Sequence, residues 1–267
     1  MGRPLLAELA DFPGREEALR AIPRFHIYRR MFYRSHDAIH AHHVRWMVRF
    51  LAPLVRRHVP TLDQTRAEAI ALVHDDPEII TGDAQAGNKA KMSLAELVIL
   101  KQQERRAIDV LAQRFPTTVA GFSYRELLLA NAEREKCPEV HLVQFADKLD
   151  AYGEALHEML AGNTTFAELL TTEYGDLPLP TELCHAFFRR FASAYPDLAF
   201  LTTGPDAVLD LDGCADVDWL TRARPSVPHT RETLRQPTGV QPYDLWKRMI
   251  LASADEEEIR RLVTKIE

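Results

Sequence analysis

The sequence predicts an all-α protein with a C-terminal extension of loop and short helices. Three observations support this fold class. In the long segments, apolar residues recur at spacings of three and four, as they do on one face of a helix. No segment shows the clean alternation of a half-buried strand. Glycine is scarce, with 11 in 267 residues, and serine and proline stand where helices commonly begin.

The first two long helices are expected from apolar periodicity. In 44–55 apolar residues repeat at i, i+3, i+4 and i+7, which gives one apolar face. Pro53 lies inside this pattern, so we expect it to kink the helix or to end it early. A second helix is expected over 64–74. Pro77 should mark its end, because proline disfavours helix at the residue before it.

The later helices carry start signals. In a capping box, a serine and a glutamate three residues later satisfy backbone N–H groups that the first helical turn leaves free. Two such boxes precede apolar periodic runs: Ser93 with Glu96, and Ser123 with Glu126. Pro138 stands at the first turn of another helix, which should stop before Gly162. The segment "PTELCHAFFRRFASAY" predicts one more.

The amino-acid composition and the apolar periodicity of the sequence change near residue 197. From Asp197 to Gln241 it is rich in Pro, Gly, Thr and Asp, and two short helices are expected after that. We therefore assign 1–195 to a helical core and 196–267 to an extension. Clustered apolar residues on its last helices suggest that the extension packs on the core or on a partner subunit: Trp246, Met249, Ile250, Leu251, Leu262 and Ile266.

Composition excludes several classes of protein. The net charge is −6 and no dense basic cluster is present, so no duplex nucleic acid partner is expected. No apolar run approaches the length that spans a membrane, and the N-terminus is not typical of a signal peptide. Cys137, Cys184 and Cys214 are odd in number and widely spaced. This cysteine usage predicts a reducing, cytoplasmic location.

A histidine and a cluster of acids follow the buried run "AIALV". Asp75, Asp76, Glu78 and Asp83 fall within nine positions, and such acids repel one another unless a positive partner lies among them. His74 and Asp75 together offer imidazole and carboxylate ligands, which suit divalent Mn, Fe, Co, Ni or Zn. The same pair alone is also compatible with a core histidine followed by an acid at a helix end.

Further ligands could come from a histidine-rich stretch upstream, "SHDAIHAHHVRWMV". His43 precedes Met47 and Val48 by four and five residues, so it lies on the apolar stripe and should face inward. The other three, His36, His40 and His42, are expected to be solvated loop or helix-end residues.

Downstream, "VQFADKLDAYGEAL" places Asp147 among apolar residues of a predicted helix. An ionised acid on an apolar stripe is costly unless it is paired. Asp147 could therefore be a ligand. With Asp150 and Lys148 nearby in the sequence, it could equally belong to a solvated helix face.

Together, three stretches resemble the HD-domain metal-dependent phosphohydrolase superfamily, and most closely its 5′-deoxynucleotidases. They are "HHVRWMV", "ALVHDDPEIITGD" and "VQFADKLDAYGEALHEMLAGNTTF". The resemblance covers about residues 20–170 and implies an HD-domain helical bundle. It also implies one divalent metal ion, without resolving Mn, Co, Fe, Ni, Mg or Zn. The implied metal ligands are His43, His74, Asp75 and Asp147.

The resemblance implies further roles near the substrate. Glu78 matches the acid that activates or positions the attacking water, and Asp83 matches a second acid near the phosphate and leaving group. An upstream arginine should contact the phosphate. The candidates are Arg29, Arg30 and Arg34, and the spacing favours Arg29 or Arg30. The loop "AQAGNKAK" replaces the family's proline-rich turn and lysine, with Lys89 or Lys91 as substitutes.

These features predict a metal-dependent phosphohydrolase that releases phosphate from a nucleoside 5′-monophosphate, and the resemblance favours a homodimer. One alternative is hydrolysis of another phosphate ester or signalling nucleotide. However, "HDDPE" lacks the Glu-Asp pair of guanosine tetraphosphate hydrolases, and no GYP segment of cyclic-di-GMP phosphodiesterases is present. A second alternative is a non-catalytic nucleotide- or metal-binding regulator. The retained Glu78 and Asp83 argue against it.

Overall fold

The structure is a computed structural model that describes residues 5–84, 86–173, 175–205, 207–211, 218–223 and 229–265. Cys214 and Ile266 lie outside these ranges. Helices dominate the described residues, so the predicted all-α class is confirmed. The helices are α1 Leu5–Leu9, α2 Arg15–Arg20, α3 Asp37–His58, α4 Gln64–Val73, α5 Glu78–Thr81, α6 Ala86–Lys91, α7 Leu94–Arg114, α8 Tyr124–Ala132, α9 Pro138–Leu160, α10 Pro180–Ala194, α11 Trp219–Arg222, α12 Gln241–Leu251 and α13 Glu256–Val263.

Short elements complete the described chain. Two antiparallel hairpins pair β1 Thr118–Val119 with β2 Phe122–Ser123, and β3 Leu170–Thr172 with β4 Gly175–Leu177. Within the described residues, 3-10 helices cover Thr164–Ala167, Pro196–Leu201 and Thr233–Arg235. These elements are too short to form a core, which leaves packing to the helices.

The helix starts follow the predicted caps. Ser93 accepts a hydrogen bond from the Glu96 backbone N–H, and the Glu96 side chain accepts one from the Ser93 backbone N–H, so the capping box is complete. Ser123 caps α8 in the same way from its side chain. Helix α9 begins at Pro138 as predicted, and the chain turns at Gly162 with φ 103°.

Helix α3 differs from its prediction. It begins at Asp37, seven residues before the periodic segment, and it runs through Pro53 to His58, so the proline does not end it early. Proline removes one backbone donor, which leaves the carbonyl four residues earlier, on Arg49, without that bond. Arg49 is exposed, so water can satisfy this carbonyl.

The chain divides into two compact units. The first comprises 1–24, 35–85 and 92–146, and the second comprises 25–34, 86–91 and 147–267. In the first unit α3 packs against α4, and α8 packs against α4 and α7. The boundary at residue 195 stays a prediction.

In the second unit, α12 of the C-terminal segment packs on the later part of α9. Trp246 is fully buried, and its indole N–H donates to Asp150 Oδ1 over 2.7 Å. A Cβ atom added at Gly153 would lie 1.9 Å from Trp246 Cγ. The indole therefore fills the space that a side chain at Gly153 would need.

No helix among the described residues has both the length and the apolar character required to cross a lipid bilayer.

Candidate metal centre

The His74–Asp75 pair lies where helix α4 ends. Residues of α4 are buried along the apolar run up to Val73, and His74 is the C-terminal cap. Tight turns follow, in which the Asp76 N–H donates to Val73 O and the Glu78 N–H donates to Asp75 O. These turns bring two adjacent side chains to one point, with His74 Nε2 3.3 Å from Asp75 Oδ2.

His40 of α3 completes a triangle of donor atoms. Its Nε2 lies 3.3 Å from His74 Nε2 and 3.4 Å from Asp75 Oδ2. Two ligands bound to one ion at about 2.1 Å, at right or tetrahedral angles, are about 3.0 to 3.4 Å apart. The three atoms therefore fit a divalent metal ion.

The histidine that the structure brings to His74 and Asp75 is His40, whereas we predicted His43. The interpretation of His40 as a solvated residue is wrong, because its side chain is completely buried. Because α3 begins at Asp37, His40 already lies within the helix, one turn before His43 and on the same buried side. His43 is also buried, with its ring centroid 5.3 Å from that of Trp46.

The other two upstream histidines differ in position. His36 is the N-cap of α3, and its Nδ1 accepts a hydrogen bond from the Ile39 N–H over 3.2 Å, as suits a helix-end residue. His42 lies inside α3 and is half-buried, so it is neither in a loop nor at a helix end.

The orientation of His74 is fixed from its other ring nitrogen. Nδ1 lies 2.8 Å from the Ala71 carbonyl oxygen. A carbonyl only accepts, so the neutral ring carries its hydrogen on Nδ1 and keeps the Nε2 lone pair for a ligand. Asn131 donates to the His74 carbonyl over 3.4 Å and is itself held by Gln144 over 2.9 Å. Hydrogen bonds thus fix both the backbone and the ring of His74.

Asp76 has a different partner from Asp75. It is buried, and it accepts hydrogen bonds from Arg15 Nε over 2.8 Å and from the Tyr124 hydroxyl over 2.7 Å. Burial lowers the pKa of Arg15, but the Asp76 carboxylate outweighs burial and leaves that pKa above its ordinary value. Arg15 is therefore the positive partner of one acid in the cluster.

Two residues that the sequence analysis missed lie near Asp75. Arg24 Nη1 is 4.0 Å from Asp75 Oδ2, and its side chain is mostly buried. Asp37 is 1% exposed, and neither of its carboxylate oxygens has a hydrogen-bond partner. Burial, followed by the charge of Asp75, raises the pKa of Asp37 to about 7, and Asp83 acts in the same direction.

The sequence contains no strong signal that would single out these two residues as part of a site. An acid in the first turn of a helix is common, because it complements the helix dipole, so Asp37 carried no special signal. Arg24 lies outside any periodic segment, upstream of the arginines that we selected.

The remaining predicted residues have the following positions. In the first unit, Glu78 opens α5 and Asp83 follows Gly82, and both acids are half-buried. The second unit carries the others. Arg29 is exposed, Arg30 is half-buried, Lys89 and Lys91 are exposed on α6, and Asp147 lies on α9 with Lys148 Nζ 3.2 Å from its Oδ2.

A family model described as 5′-deoxynucleotidase YfbR-like matches residues 16–194. The chain belongs to this family. The resemblance inferred from the sequence is therefore confirmed, and the HD-domain character of the family implies dependence on a divalent metal. The 5′-deoxynucleotidase YfbR-like match ends before the C-terminal segment 196–267.

Curated relatives match a shorter region. A 5′-deoxynucleotidase of Enterobacter sp. (strain 638) is 30% identical over 113 residues, which is 42% of this chain and 54% of the relative. A 5′-deoxynucleotidase of Shewanella oneidensis is 32% identical over 114 residues, 42% of this chain and 55% of the relative. The chain spans about half the length of the curated relatives that it matches.

Proposed function

We propose that this protein is a metal-dependent phosphohydrolase that releases inorganic phosphate from a nucleoside 5′-monophosphate. The observation that carries the proposal is the triangle of His40 Nε2, His74 Nε2 and Asp75 Oδ2, with edges of 3.3 to 3.4 Å. Family membership and the names of the curated 5′-deoxynucleotidases support the reaction type.

The proposed site holds one divalent metal ion through His40, His74, Asp75 and Asp147. His40 takes the place of His43 because of its distances to His74 and Asp75. Asp147 comes from the family resemblance. Two imidazoles and two carboxylates suit Mn, Fe, Co, Ni or Zn and leave coordination positions open.

When bound, the metal would neutralise charge on the phosphate and would lower the pKa of a coordinated water molecule toward roughly 7. Glu78 opens α5 four residues after His74. We propose that Glu78 is the general base that accepts the proton lost by the attacking water. A new P–O bond forms as the bond to the 5′-oxygen breaks. Asp83, in its protonated form, gives a proton to that leaving oxygen. Exchange with water then removes the proton from Glu78 and restores the one on Asp83.

Arg24 is the proposed phosphate-binding arginine. Its guanidinium lies 4.0 Å from the ligand Asp75, and an arginine fork matches a phosphate oxygen pair. We assign the phosphate contact to Arg24. For Arg29, Arg30 and Lys89 we propose further contacts with the substrate.

The test is phosphate release from a panel of deoxy- and ribonucleoside 5′-monophosphates with Mn, Co, Fe, Ni, Zn and Mg. The panel includes other phosphate esters and signalling nucleotides, because the loop "AQAGNKAK" departs from the family. We expect release to require metal and to be lost in Asp75→Ala. The matched control is Asp109→Ala, which removes an exposed acid paired with Arg125. Nucleotide binding without hydrolysis under any metal would favour the regulator instead.

We further propose that the protein is a cytoplasmic homodimer. The absence of a paired cysteine spacing supports the location, and the resemblance supports the dimer. Helix α7 also exposes aliphatic side chains, with Leu94 79% and Ile99 55% exposed. Light scattering should give a dimeric mass, and the double variant Leu94→Ser, Ile99→Ser should reduce it. A monomeric wild-type mass at all concentrations would contradict the dimer.

A further inference from the structure

Residues 29–33 of the second unit, which we call the arginine segment, are held at their backbone by the end of α9. Glu158 lies in the last turn of α9 and is 2% exposed. Its carboxylate accepts hydrogen bonds from three consecutive backbone N–H groups, those of residues 31–33, over 3.0, 3.0 and 2.7 Å. These donors satisfy a carboxylate that would be costly to bury alone. Glu158 therefore fixes the course of the arginine segment.

The start of the arginine segment is held by the residue that follows the turn after α9. Asn163 is completely buried, and its Nδ2 donates to the Arg29 carbonyl over 2.8 Å and to Glu158 Oε2 over 2.6 Å. The side chain of Arg29 is exposed. These contacts thus fix the backbone of Arg29 and leave its guanidinium at the surface.

Helix α13 holds the other end of the arginine segment. The Tyr33 hydroxyl donates a hydrogen bond to Glu258 Oε1 of α13, and both side chains are 3% exposed. Burial, followed by the charge of Glu258, raises the pKa of Tyr33 well above its ordinary value, so the hydroxyl keeps its proton and donates. The family match ends at residue 194, so this contact comes from a part of the chain that the match does not include.

The position of Glu258 is fixed within α13. Asp255 caps this helix, and its Oδ1 accepts from the Glu258 N–H over 2.9 Å. Leu262, four residues after Glu258 and therefore on the same side of the helix, is 2% exposed. The buried side of α13 thus carries a carboxylate beside a leucine. A buried carboxylate requires a donor, and the Tyr33 hydroxyl supplies one.

We propose that Glu258 is a positioning residue, which holds the arginine segment through Tyr33 so that Arg29 and Arg30 meet the substrate in a fixed arrangement. A segment that is already ordered loses less conformational freedom on binding, which strengthens affinity. The inference rests on the proposed function, because that function supplies the contacts of these arginines with the substrate. It gives the C-terminal segment 196–267 a role in substrate binding.

The test measures binding of the phosphonate analogue of deoxyadenosine 5′-monophosphate, in which a CH₂ group replaces the 5′-oxygen and prevents hydrolysis. Calorimetric titration of the full chain with Mn should show binding that Tyr33→Phe weakens about threefold to tenfold, because the freed segment must be ordered on binding. Glu258→Leu should weaken it to a similar extent. Glu258→Gln should retain most of the affinity, since an amide oxygen still accepts from the Tyr33 hydroxyl.

A second comparison asks whether the effect passes through the arginines. In the double variant Arg29→Gln, Arg30→Gln, the further change Tyr33→Phe should cause no additional loss of affinity. A merely structural effect would persist in that background. The matched control is Tyr243→Phe, which removes another buried hydroxyl of the second unit, one that contacts two histidines. It should lower thermal stability and leave affinity unchanged.

Several outcomes would overturn the inference. They are wild-type affinity in both Tyr33→Phe and Glu258→Leu, an equal loss in the background without the two arginines, and no binding of the phosphonate to the wild type. Failure of the proposed function has a different signature, because it appears in the wild type as absent phosphate release. Phosphonate binding that Tyr33→Phe weakens, in a protein that hydrolyses no monophosphate, would refute the reaction and support the positioning role.

Discussion

The Nε2 atoms of His40 and His74 lie 3.3 Å apart, while the Nδ1 of His74 faces the Ala71 carbonyl. The ring of His74 therefore presents its Nε2 lone pair toward His40, and the separation of the two Nε2 atoms fits a cation bound by both rings. We therefore expect His40→Ala to lose the bound metal. His43→Ala should retain it, although the cavity left in the core should lower stability. Elemental analysis of the purified variants measures this directly.

The opposite result would favour His43 as the metal ligand, as the sequence predicts. Metal lost from His43→Ala but kept in His40→Ala would show that the triangle around His74 is not the binding site. Thermal denaturation of both variants distinguishes loss of the ion from loss of the fold.

Glu78→Gln separates metal binding from catalysis. The amide keeps the shape of the side chain but cannot take a proton, so turnover should fall by roughly a hundredfold or more. Metal content should remain that of the wild type, because Glu78 is outside the proposed ligand set. Phosphate release and elemental analysis on one preparation check both statements. Undiminished turnover in a metal-loaded variant would remove Glu78 from the mechanism.

Local signals predicted the helices well. Ser93 with Glu96, Ser123 and Pro138 each mark a helix start in the structure, because a cap depends on residues only a few positions apart. The start of α3 was missed because its first two turns, residues 37–43, carry an aspartate and three histidines among their apolar residues.

Contacts between distant residues could not be predicted in this way. Arg15 meets Asp76 across 61 positions, and no local pattern pairs them. Arg24 reaches Asp75 across 51 positions, outside any periodic segment. The His-Asp motif pointed to the candidate metal centre, but the folded chain was needed to find His40 beside it and to distinguish the partners of Asp75 from those of Asp76.

Gly153→Ala should destabilise the protein although alanine favours helices. Helix propensity alone predicts a gain of about 1 kcal/mol for this change inside α9. The new Cβ would lie 1.9 Å from Trp246, and overlap of this kind costs about 1 to 3 kcal/mol or more. Chemical denaturation should therefore show a net loss. As a comparison, Ala186→Gly at an exposed position of α10 should cost only about 1 kcal/mol. A more stable Gly153→Ala protein would contradict this packing.

Stability should fall as the pH drops from about 6.5 toward 4. Burial lowers the pKa of His157 well below its ordinary value, and nearby His229 adds to this. Burial, with Lys247 adding, lowers the pKa of His229 to about 4. Both rings stay neutral in the folded chain, and both contact the Tyr243 hydroxyl. In the unfolded chain, the same two histidines take up protons near pH 6.5. This protonation stabilises the unfolded chain at low pH, and it therefore lowers the free energy of unfolding.

The measurement is the free energy of unfolding from denaturant titrations between pH 7.5 and 5. His229→Gln cannot gain this proton, so its stability should decline less steeply than that of the wild type over this range. Equal slopes for the two proteins would show that His229 does not contribute.

Asp75 and Asp76 are neighbours in the chain, but one meets the two histidines and the other meets Arg15 and Tyr124. On the proposed assignment, loss of either acid should abolish activity in a genetic screen, for unrelated reasons. Substituting Asp75 leaves the buried arginine paired, so inactive protein should accumulate in cells. Substituting Asp76 leaves that arginine buried with its charge uncompensated, which costs about 3 to 5 kcal/mol, so the chain should be cleared by proteolysis. Protein abundance, rather than loss of function, therefore distinguishes the proposed metal ligand Asp75 from the structural residue Asp76.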